Sequence, residues 1–256
     1  AGVTAIDDDW VSVTVVVGCA SLPDTNELIA RHSGQAARFA TASGPLSRQR
    51  NAEIVAALKR KSGDLDILDR QIALEQAIVG GPLVLGNKVT LLQDGVATYA
   101  AMFAAIRAAR DHINLESYII DDDDIGQQFA DLLLEQQGRG VQVNLIYDSF
   151  GGMNTASAFF DRLRNAGIAV VEFNPLNPLA LKKSWRINHR DHRKLLVIDG
   201  RIAFVGGINI SSVYSSGSVA GKGPRKPANG VAWRDTDLQI EGPVVAALQQ
   251  LFLDTW

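Results

Sequence analysis

The chain has 256 residues, 46% of them hydrophobic and 21% charged, and this composition is typical of a globular protein of one or two domains with a sizeable core. Its 25 basic and 28 acidic residues give a net charge of −3, which provides no global positive field and does not favour nucleic acid as a partner. The single cysteine excludes an internal disulfide framework and a cysteine-rich metal site.

Residues 1–45 are predicted to form an amino-terminal arm. The stretch Val16-Val17-Gly18-Cys19-Ala20-Ser21 is similar to the cleavage box of a bacterial lipoprotein, in which Cys19 would be the lipidated residue. The start has no Met and no basic leader, so a truncated start and a buried cysteine stay open as alternatives. Residues 20–45 are rich in small and polar side chains, which indicates a spacer or a loosely held arm. The sequence contains no run of about 18 apolar residues that would predict a membrane-spanning helix.

Residues 46–85 are predicted to form a helical hairpin. Segments 47–61 and 65–79 each carry apolar residues at helical spacing, and a glycine-containing break follows each segment. The basic cluster Lys59-Arg60-Lys61 favours a solvated helix end over a contact with acidic lipid headgroups, because cations stabilise the carboxyl end of a helix.

Residues 86–256 are predicted to adopt an α/β fold. Strands are predicted at 89–92, 113–120, 141–147 and 169–173, and helices at 98–110, 125–137 and 156–165. Alternating strands and helices favour a mainly parallel sheet with helices on both faces. The four aspartates at 121–124 follow a strand and precede a helix, where we interpret them as helix-capping residues rather than a cation site. His32 and His112 are interpreted as structural or solvated histidines.

A β-hairpin is predicted in the most informative part of the chain. Residues 194–198 and 202–205 are mostly apolar, and the Asp199-Gly200 pair between them is a strong signal for a tight turn. Side chains alternate faces along an extended chain, so His192 and Lys194 share one face and Arg193 points to the other. Asp199 is predicted to fix the turn rather than contact a substrate.

These residues suit chemistry on a phosphodiester. Gly206 and Gly207 let backbone approach closely at the end of the second strand, and Asn209 adds an amide donor there. A neutral His192 imidazole that attacked phosphorus would form a phosphohistidine, while Lys194 and Asn209 stabilised charge on the non-bridging oxygens. A nucleophilic histidine also needs a partner on its far nitrogen to hold one tautomer. No metal and no other cofactor is expected.

The pattern HxK(x)4D(x)6GGxN, with His192, Lys194, Asp199 and Asn209 in the fixed positions, resembles the signature of the phospholipase D superfamily. The glycine pair and the following Trp233-Arg234-Asp235 are most like the amino-terminal half of a bacterial cardiolipin synthase. This resemblance covers residues 88–256 and implies a mixed sheet. It also implies that Asp235 is the orienting carboxylate. The segment Glu116-Ser117-Tyr118 resembles a recurrent family segment, without a role that spacing alone assigns.

The resemblance also implies that a second motif is needed. Enzymes of this superfamily bring two motifs together on a pseudo-twofold axis, one histidine attacking and the other protonating the leaving oxygen. This chain carries one motif, and His189 is too close to His192 to serve as the second. Three accounts stay open: a fragment of a longer enzyme, a chain that pairs with a copy of itself, and a half-site without turnover.

The favoured function is that of a phosphatidyltransferase which forms cardiolipin or a related phospholipid from phosphatidylglycerol. A single-motif dimeric phosphodiesterase or nuclease and a non-catalytic lipid-binding half are the alternatives. The expected partners are a phospholipid substrate, a membrane surface and a second phospholipase D-like half or a second copy. The expected location is the bacterial cell envelope, with a lipid anchor facing the periplasm. Residues 211–232, which include Lys222, Arg225 and Lys226, are interpreted as a substrate-gating loop or a disordered insertion.

Overall fold

The structure is a computed structural model that describes residues 37–62, 71–72, 74–75, 81–175, 190–215 and 233–256. The chain divides into two compact units, one from residues 1–38 and 47–82 and the other from residues 39–46 and 83–256. The sequence predictions for Cys19, His32, His189 and residues 216–232 lie outside the described residues.

The first unit contains helix α1 (Arg48–Ser62). Its last turn carries Lys59, Arg60 and Lys61, where positive charge stabilises the exposed carbonyl groups of a helix end. This helix confirms the first half of the predicted hairpin. Residues 71–72 and 74–75 are also helical, and the rest of the predicted second helix lies outside the described residues.

The second unit contains a small sheet and a large sheet. The small sheet consists of β1 (Phe39–Thr41), β2 (Gly44–Pro45) and β3 (Leu83–Val84) in the order β2-β1-β3. Strand β1 pairs in parallel with β3, so part of the predicted arm contributes a strand to this unit. The boundaries of the predicted arm and hairpin stay predictions.

The large sheet has seven strands in the described part of the chain. They are β4 (Lys88–Leu92), β5 (His112–Ser117), β6 (Gln142–Asp148), β7 (Ala169–Phe173), β8 (Leu195–Ile198), β9 (Ile202–Gly206) and β10 (Asp237–Glu241). Their order in space is β4-β10-β9-β8-β5-β6-β7. Four helices accompany them in this unit: α2 (Gly95–Ala108), α3 (Asp124–Gly138), α4 (Ser157–Asn165) and α5 (Val245–Thr255).

The sheet is mixed, as the resemblance implied, but parallel pairing is not its main pattern. Strands β5, β6 and β7 pair in parallel, whereas β5–β8, β8–β9, β9–β10 and β10–β4 are antiparallel. The alternation of strands and helices therefore predicted the correct pairing for three neighbouring strands. It failed beyond them because β8 and β9 are joined by a tight turn, which requires an antiparallel pair.

Helices cover both faces of the sheet, as predicted. Side chains from α2, α3 and α4 pack with Leu115 and Leu196 in one buried cluster. On the opposite face Phe252 of α5 packs with Leu195 and Val197 in a second cluster. Because residues 195–197 alternate between the two clusters, both faces of β8 are buried and its apolar run is explained.

The carboxyl ends of β5, β6 and β9 meet the amino ends of β8 and β10 at one edge of the sheet. The Asp199-Gly200 turn lies at the opposite edge. Both residues have positive φ, 54° for Asp199 and 62° for Gly200, as a type I′ turn requires. The Asp199 carboxylate accepts hydrogen bonds from the backbone N–H groups of Arg110, Asp111 and His112. The structure thus places Asp199 where the sequence predicted a structural turn residue.

Candidate active site

His192 and Lys194 meet at the sheet edge around the ring of Tyr118. They lie on an irregular segment, residues 190–194, that directly precedes β8. The exposed His192 imidazole lies 4.6 Å from the Tyr118 ring, centre to centre. Lys194 Nζ lies 5.3 Å from the centre of the same ring and donates a 2.7 Å hydrogen bond to the His192 carbonyl oxygen. The predicted sharing of one face is therefore observed, and Arg193 points to the other face, where it contacts Thr255 of α5.

Lys194 is a buried cation in this site. Only 6% of the residue is exposed, and this burial lowers the pKa of Lys194 to about 8. The carboxylates of Asp191, Asp235 and Asp237 act in the opposite direction and favour the ammonium form. At pH 7 a pKa of about 8 leaves roughly ten ammonium groups for each neutral amine. The group is therefore charged at neutral pH but close to its titration range.

Asn209 lies at the same edge and is also buried. Its side-chain oxygen accepts a hydrogen bond from the Ile119 N–H at 3.0 Å, and its amide nitrogen donates to the Tyr214 hydroxyl at 2.9 Å. Together with Ser117 and Lys194 it lines a small cavity. This cavity has room for about one water molecule. The amide therefore has a structural task, and one of its two N–H groups is already committed. Its predicted contact with phosphate stays a prediction.

The glycine pair is required by the close approach of the chain before β10. A Cβ atom added to Gly207 would lie 2.2 Å from Asp235 Oδ2, and one added to Gly206 would lie 2.1 Å from Asp237 Oδ1. Any larger residue would displace one of these carboxylates. This finding gives a physical reason for the two glycines before Asn209, which the sequence analysis assigned to close approach in general terms.

Asp235 and Asp237 occupy different environments. Asp235 is exposed, whereas Asp237 is 1% exposed and accepts a 3.1 Å hydrogen bond from the Ile208 N–H. Burial raises the pKa of Asp237 to about 6, and the nearby charge of Asp235 acts in the same direction. Among the described residues no hydrogen bond joins Asp235 to the His192 imidazole. The assignment of Asp235 as the orienting carboxylate therefore stays a prediction.

Tyr118 contacts both His192 and Lys194, and the sequence alone had assigned it no role. It follows the end of β5 at the edge where the motif residues gather, and its ring is the common neighbour of His192 and Lys194. Its position in the sequence could have indicated a role. Tyr118 directly follows a strand that pairs in parallel, and ligand-binding sites lie at the carboxyl ends of such strands.

Buried carboxylates hold the segment that carries His192. Asp148, at the end of β6, accepts the Asp191 N–H at 2.9 Å through one oxygen and the Phe150 N–H at 2.8 Å through the other. Asp191 in turn accepts the backbone N–H and the Nε–H of Arg193 at 3.1 and 3.0 Å. The segment lacks strand hydrogen bonds, so these side chains satisfy its backbone instead.

Glu116 is a buried acid behind this segment. It is 1% exposed, and Arg193 Nη2 lies 2.9 Å from its Oε1, an ion-pair distance without the geometry of a hydrogen bond. Burial raises the pKa of Glu116 to about 9, and adjacent Asp191 acts in the same direction. For Asp191, burial favours the neutral form, but the neighbouring Glu116 and the hydrogen bonds from Arg193 outweigh it and lower the pKa. The pKa of Glu116 is thus raised and that of Asp191 lowered, so the negative charge of the pair is favoured on Asp191.

No group of three or more histidine, cysteine, aspartate or glutamate side chains in the described residues is arranged to hold a metal ion. In the same part of the chain no helix combines the length and the apolar character needed to cross a membrane.

Replacement of Glu116 by glutamine tests the proton on this pair. The folded chain keeps a proton on Glu116 up to about pH 9, whereas the unfolded chain releases it near its usual pKa of about 4.3. Glu116 therefore lowers the free energy of unfolding progressively as the pH rises between these two values. Glu116→Gln keeps a donor and cannot titrate, so we expect it to be at least as stable as the parent chain at about pH 8, with a flatter pH dependence.

The measurement is guanidinium unfolding of both chains at about pH 5, 7 and 8. Glu135→Gln is the matched control, because Glu135 pairs with Arg139 on the exposed surface of α3 and should leave the pH dependence unchanged. A Glu116→Gln chain that is destabilised at every pH would show that an ionised Glu116 is needed.

Two solved structures are similar to part of this chain. The phospholipase D family member Nuc of Salmonella typhimurium is 16% identical with a TM-score of 0.46, over 67% of this chain and 95% of Nuc. A phosphatidylserine synthase of Haemophilus influenzae is 16% identical with a TM-score of 0.48, over 65% of this chain and 36% of that structure.

Relatives by sequence are more similar. The chain is 36% identical over 209 residues to a cardiolipin synthase of Alkalihalophilus pseudofirmus, which covers 82% of this chain and 38% of that protein. It is 38% identical over 179 residues to cardiolipin synthase A of Pseudomonas fluorescens, which covers 68% of this chain and 34% of that protein. The chain thus spans less than two fifths of the length of these relatives. Residues 102–216 match the family described as cardiolipin synthase, PLD-like domain. This match includes the His192 motif, and the chain belongs to the phospholipase D superfamily, in which it is most like the bacterial cardiolipin synthases.

Proposed function

We propose that this chain supplies one half of the active site of a phosphatidyltransferase that forms cardiolipin or a related phospholipid. The observation that carries the proposal is the exposed His192 imidazole beside the buried ammonium of Lys194, both in contact with Tyr118. A nucleophile open to substrate and a cation held close to it are the two groups that attack on a phosphodiester requires first. The cardiolipin synthase relatives support a phospholipid as the substrate class.

The reaction would proceed by two displacements at phosphorus. In the first, a nitrogen of the neutral His192 imidazole attacks the phosphodiester, a P–N bond forms and the P–O bond to the leaving alcohol breaks. The leaving oxygen takes a proton from a general acid. In the second, the hydroxyl of an acceptor lipid attacks the phosphohistidine, transfers its proton to a base and releases the neutral imidazole. With water as the acceptor the same steps are a hydrolysis.

The surrounding residues would divide the other tasks. Lys194 would stabilise negative charge on a non-bridging oxygen, and the remaining N–H of Asn209 would add a hydrogen bond. Asp235 would hold the His192 tautomer through the far nitrogen, which requires a rearrangement from the arrangement described above. The protonated partner for the leaving group would come from a second motif, in another part of a longer protein or in a second copy of the chain.

The proposed location is the membrane surface of a bacterial cell envelope, where the phospholipid substrate lies. A lipid anchor at Cys19 that faces the periplasm is part of this hypothesis, and Cys19 lies outside the described residues. The segment proposed to gate the substrate or to be disordered is residues 211–232. Its first part forms a short 3-10 helix (Ser212–Tyr214), and residues 216–232 lie outside the described residues as well.

His192→Ala tests the nucleophile. Loss of the attacking group should lower the rate of phosphodiester turnover by at least about a thousandfold. The other groups of the site only assist the attack by His192, so they contribute little without it. The wild-type chain should also form an acid-labile phosphohistidine with labelled phospholipid, and the variant should not. His112→Gln is the matched control, since His112 opens β5 at the far edge of the sheet and should leave the rate unchanged. Near-normal turnover by His192→Ala would refute the assignment.

Lys194 predicts an alkaline limit to activity. Its pKa of about 8 means that the ammonium is present below this pH and is lost as the pH rises through it, so the rate should fall above about pH 8. Lys194→Arg stays charged, and we expect a lower rate but a plateau that continues above pH 8. The check is the pH dependence of kcat/KM on a soluble phosphodiester, with exposed Lys88→Arg as the control. Identical profiles for the parent chain and Lys194→Arg would contradict the role.

The proposed need for a second motif can be tested starting from this chain alone. A single motif has a nucleophile without a positioned acid, and general acid catalysis contributes about 10² to 10⁴ in rate, so a monomer should turn over poorly. Addition of the second half of a cardiolipin synthase in trans should restore transferase activity. Mass and rate are measured on the same samples across a dilution series. Activity that instead follows dimer formation would favour the dimeric phosphodiesterase, and full transferase turnover by a strict monomer would refute the requirement.

A further inference from the structure

The turn at residues 149–155 exposes two large apolar side chains beside the candidate nucleophile. Phe150 is 51% exposed and Met153 is 60% exposed. The turn follows β6 and packs against the residue that contacts His192: a Cβ atom added to Gly151 would lie 1.9 Å from the Tyr118 carbonyl oxygen. The Tyr118 ring in turn lies 4.6 Å from the His192 ring. Only one residue therefore separates the apolar turn from the proposed nucleophile.

Most backbone N–H groups of the turn are hydrogen-bonded. Residues 149–160 include no charged side chain. The N–H groups of Phe150 and Gly152 donate to Asp148, at 2.8 Å each, and that of Met153 donates to the Phe150 carbonyl oxygen at 3.3 Å. The Thr155 N–H donates to the Gly152 carbonyl oxygen at 3.0 Å. A segment whose backbone is already hydrogen-bonded can enter a less polar medium without the large cost of stripping water from unpaired groups.

The turn is also held firmly in place. The Thr155 hydroxyl donates to the Ile120 carbonyl oxygen at 2.5 Å, and the Arg190 guanidinium lies 5.7 Å from the centre of the Phe150 ring. A Cβ atom added to Gly152 would lie 2.7 Å from the Tyr147 ring, so the backbone fits against β6 without space to spare. Whatever surface Phe150 and Met153 contact is therefore held at a defined distance from His192.

A second exposed aromatic residue lies at the same edge. Trp233 is 52% exposed, stands edge-on to the Tyr214 ring at 5.7 Å and precedes the exposed Arg234. Tryptophan is enriched where an apolar layer meets water, and arginine is attracted to anionic lipid headgroups. Apolar side chains thus emerge beside both the β6 end and the β10 start of the site.

We propose that the turn at residues 149–155 is a membrane-contact element that inserts Phe150 and Met153 into the surface of a phospholipid bilayer. The inference rests on the proposed function, because a phosphatidyl substrate keeps its acyl chains in the bilayer and its phosphate at the headgroup level. An enzyme that attacks this phosphate has to bring His192 to the headgroups. An uncharged, self-bonded and rigid turn next to His192 meets that requirement, with Trp233 as a second contact.

The test compares two double variants of the 256-residue chain. The first is Phe150→Ser with Met153→Ser. The matched control is Val89→Ser with Leu91→Ser, which removes two apolar side chains of similar exposure, 56% each, from edge strand β4. Trp233 is left intact because it adjoins Asp235. Binding is measured by co-sedimentation with vesicles of phosphatidylglycerol and phosphatidylcholine, together with the mass of each chain in solution.

The first variant should partition at least about tenfold more weakly onto the vesicles, since each lost apolar side chain removes a substantial transfer free energy. The control variant should bind as the parent chain does. Turnover of a soluble short-chain phosphodiester, measured with the second half of a cardiolipin synthase added in trans, should be the same in both, which shows that the site is folded. Equal binding of both variants would overturn the proposal. A change in oligomeric mass without a change in vesicle binding would also overturn it, and would assign the turn to a protein interface.

Failure of the docking proposal is distinguishable from failure of the proposed function. His192→Ala should bind vesicles normally, because the nucleophile is not part of the turn. If the first double variant binds vesicles as well as the parent chain while His192→Ala is inactive, the membrane-contact assignment is wrong and the proposed chemistry stands. If vesicle binding depends on Phe150 and Met153 but the parent chain transfers no phosphatidyl group even with the second half of a cardiolipin synthase added in trans, the docking assignment stands and the proposed function is wrong.

Discussion

The hydrogen bond from the Asp191 N–H to the buried carboxylate of Asp148 is the interaction on which the candidate site depends. The segment 190–194 makes no strand pairs, yet it has to present His192 in one position. Asp148 joins it to the end of β6 and, through its other oxygen, orders the turn that begins at Phe150. A single carboxylate therefore connects the proposed nucleophile, the parallel part of the sheet and the apolar turn. Removal of this group would leave two buried donors unpaired.

The proposed reactive residues and the residues that hold them in place lie on opposite faces of the sheet. His192 and Lys194 lie on the face of α2, α3 and α4, around Tyr118, whereas Arg193 lies between them in sequence and points towards α5. There it meets Glu116, whose pKa is raised by burial, and Asp191, whose pKa is lowered by the neighbouring Glu116 and the hydrogen bonds from Arg193. The Arg193 side chain is 36% exposed, and its positive charge balances part of the negative charge of these two acids. The alternation of side chains along one short segment makes the separation possible.

The sequence was sufficient for features that depend on neighbours in the chain. The strands and helices between 88 and 173 follow from apolar periodicity, and the β8–β9 hairpin follows from Asp199-Gly200. Strand β5 was predicted to extend to residue 120 but ends at Ser117, because Ile119 bonds to the side chain of Asn209 instead. Tyr118, Asp148 and Glu116 were not assigned roles, since their partners come from distant parts of the chain. The Asp148 to Asp191 bond spans 43 residues, and periodicity carries no information over that distance.

The charge balance around Lys194 supports the proposal that this half-site acts together with a second half. Burial acts against the ammonium, and three aspartates act for it, so the group stays charged at neutral pH without a strong surplus of positive potential. A phosphodiester carries one negative charge, and attack by a neutral imidazole moves a second negative charge onto its non-bridging oxygens while the imidazole becomes positive. The ammonium of Lys194 and one amide N–H of Asn209 would stabilise the charge on one of these oxygens. In an in-line displacement both non-bridging oxygens are equatorial, and the leaving group alone lies opposite the attacking nitrogen of His192. In the proposed two-motif mechanism, an acid from a second half would protonate the leaving oxygen on the side opposite His192.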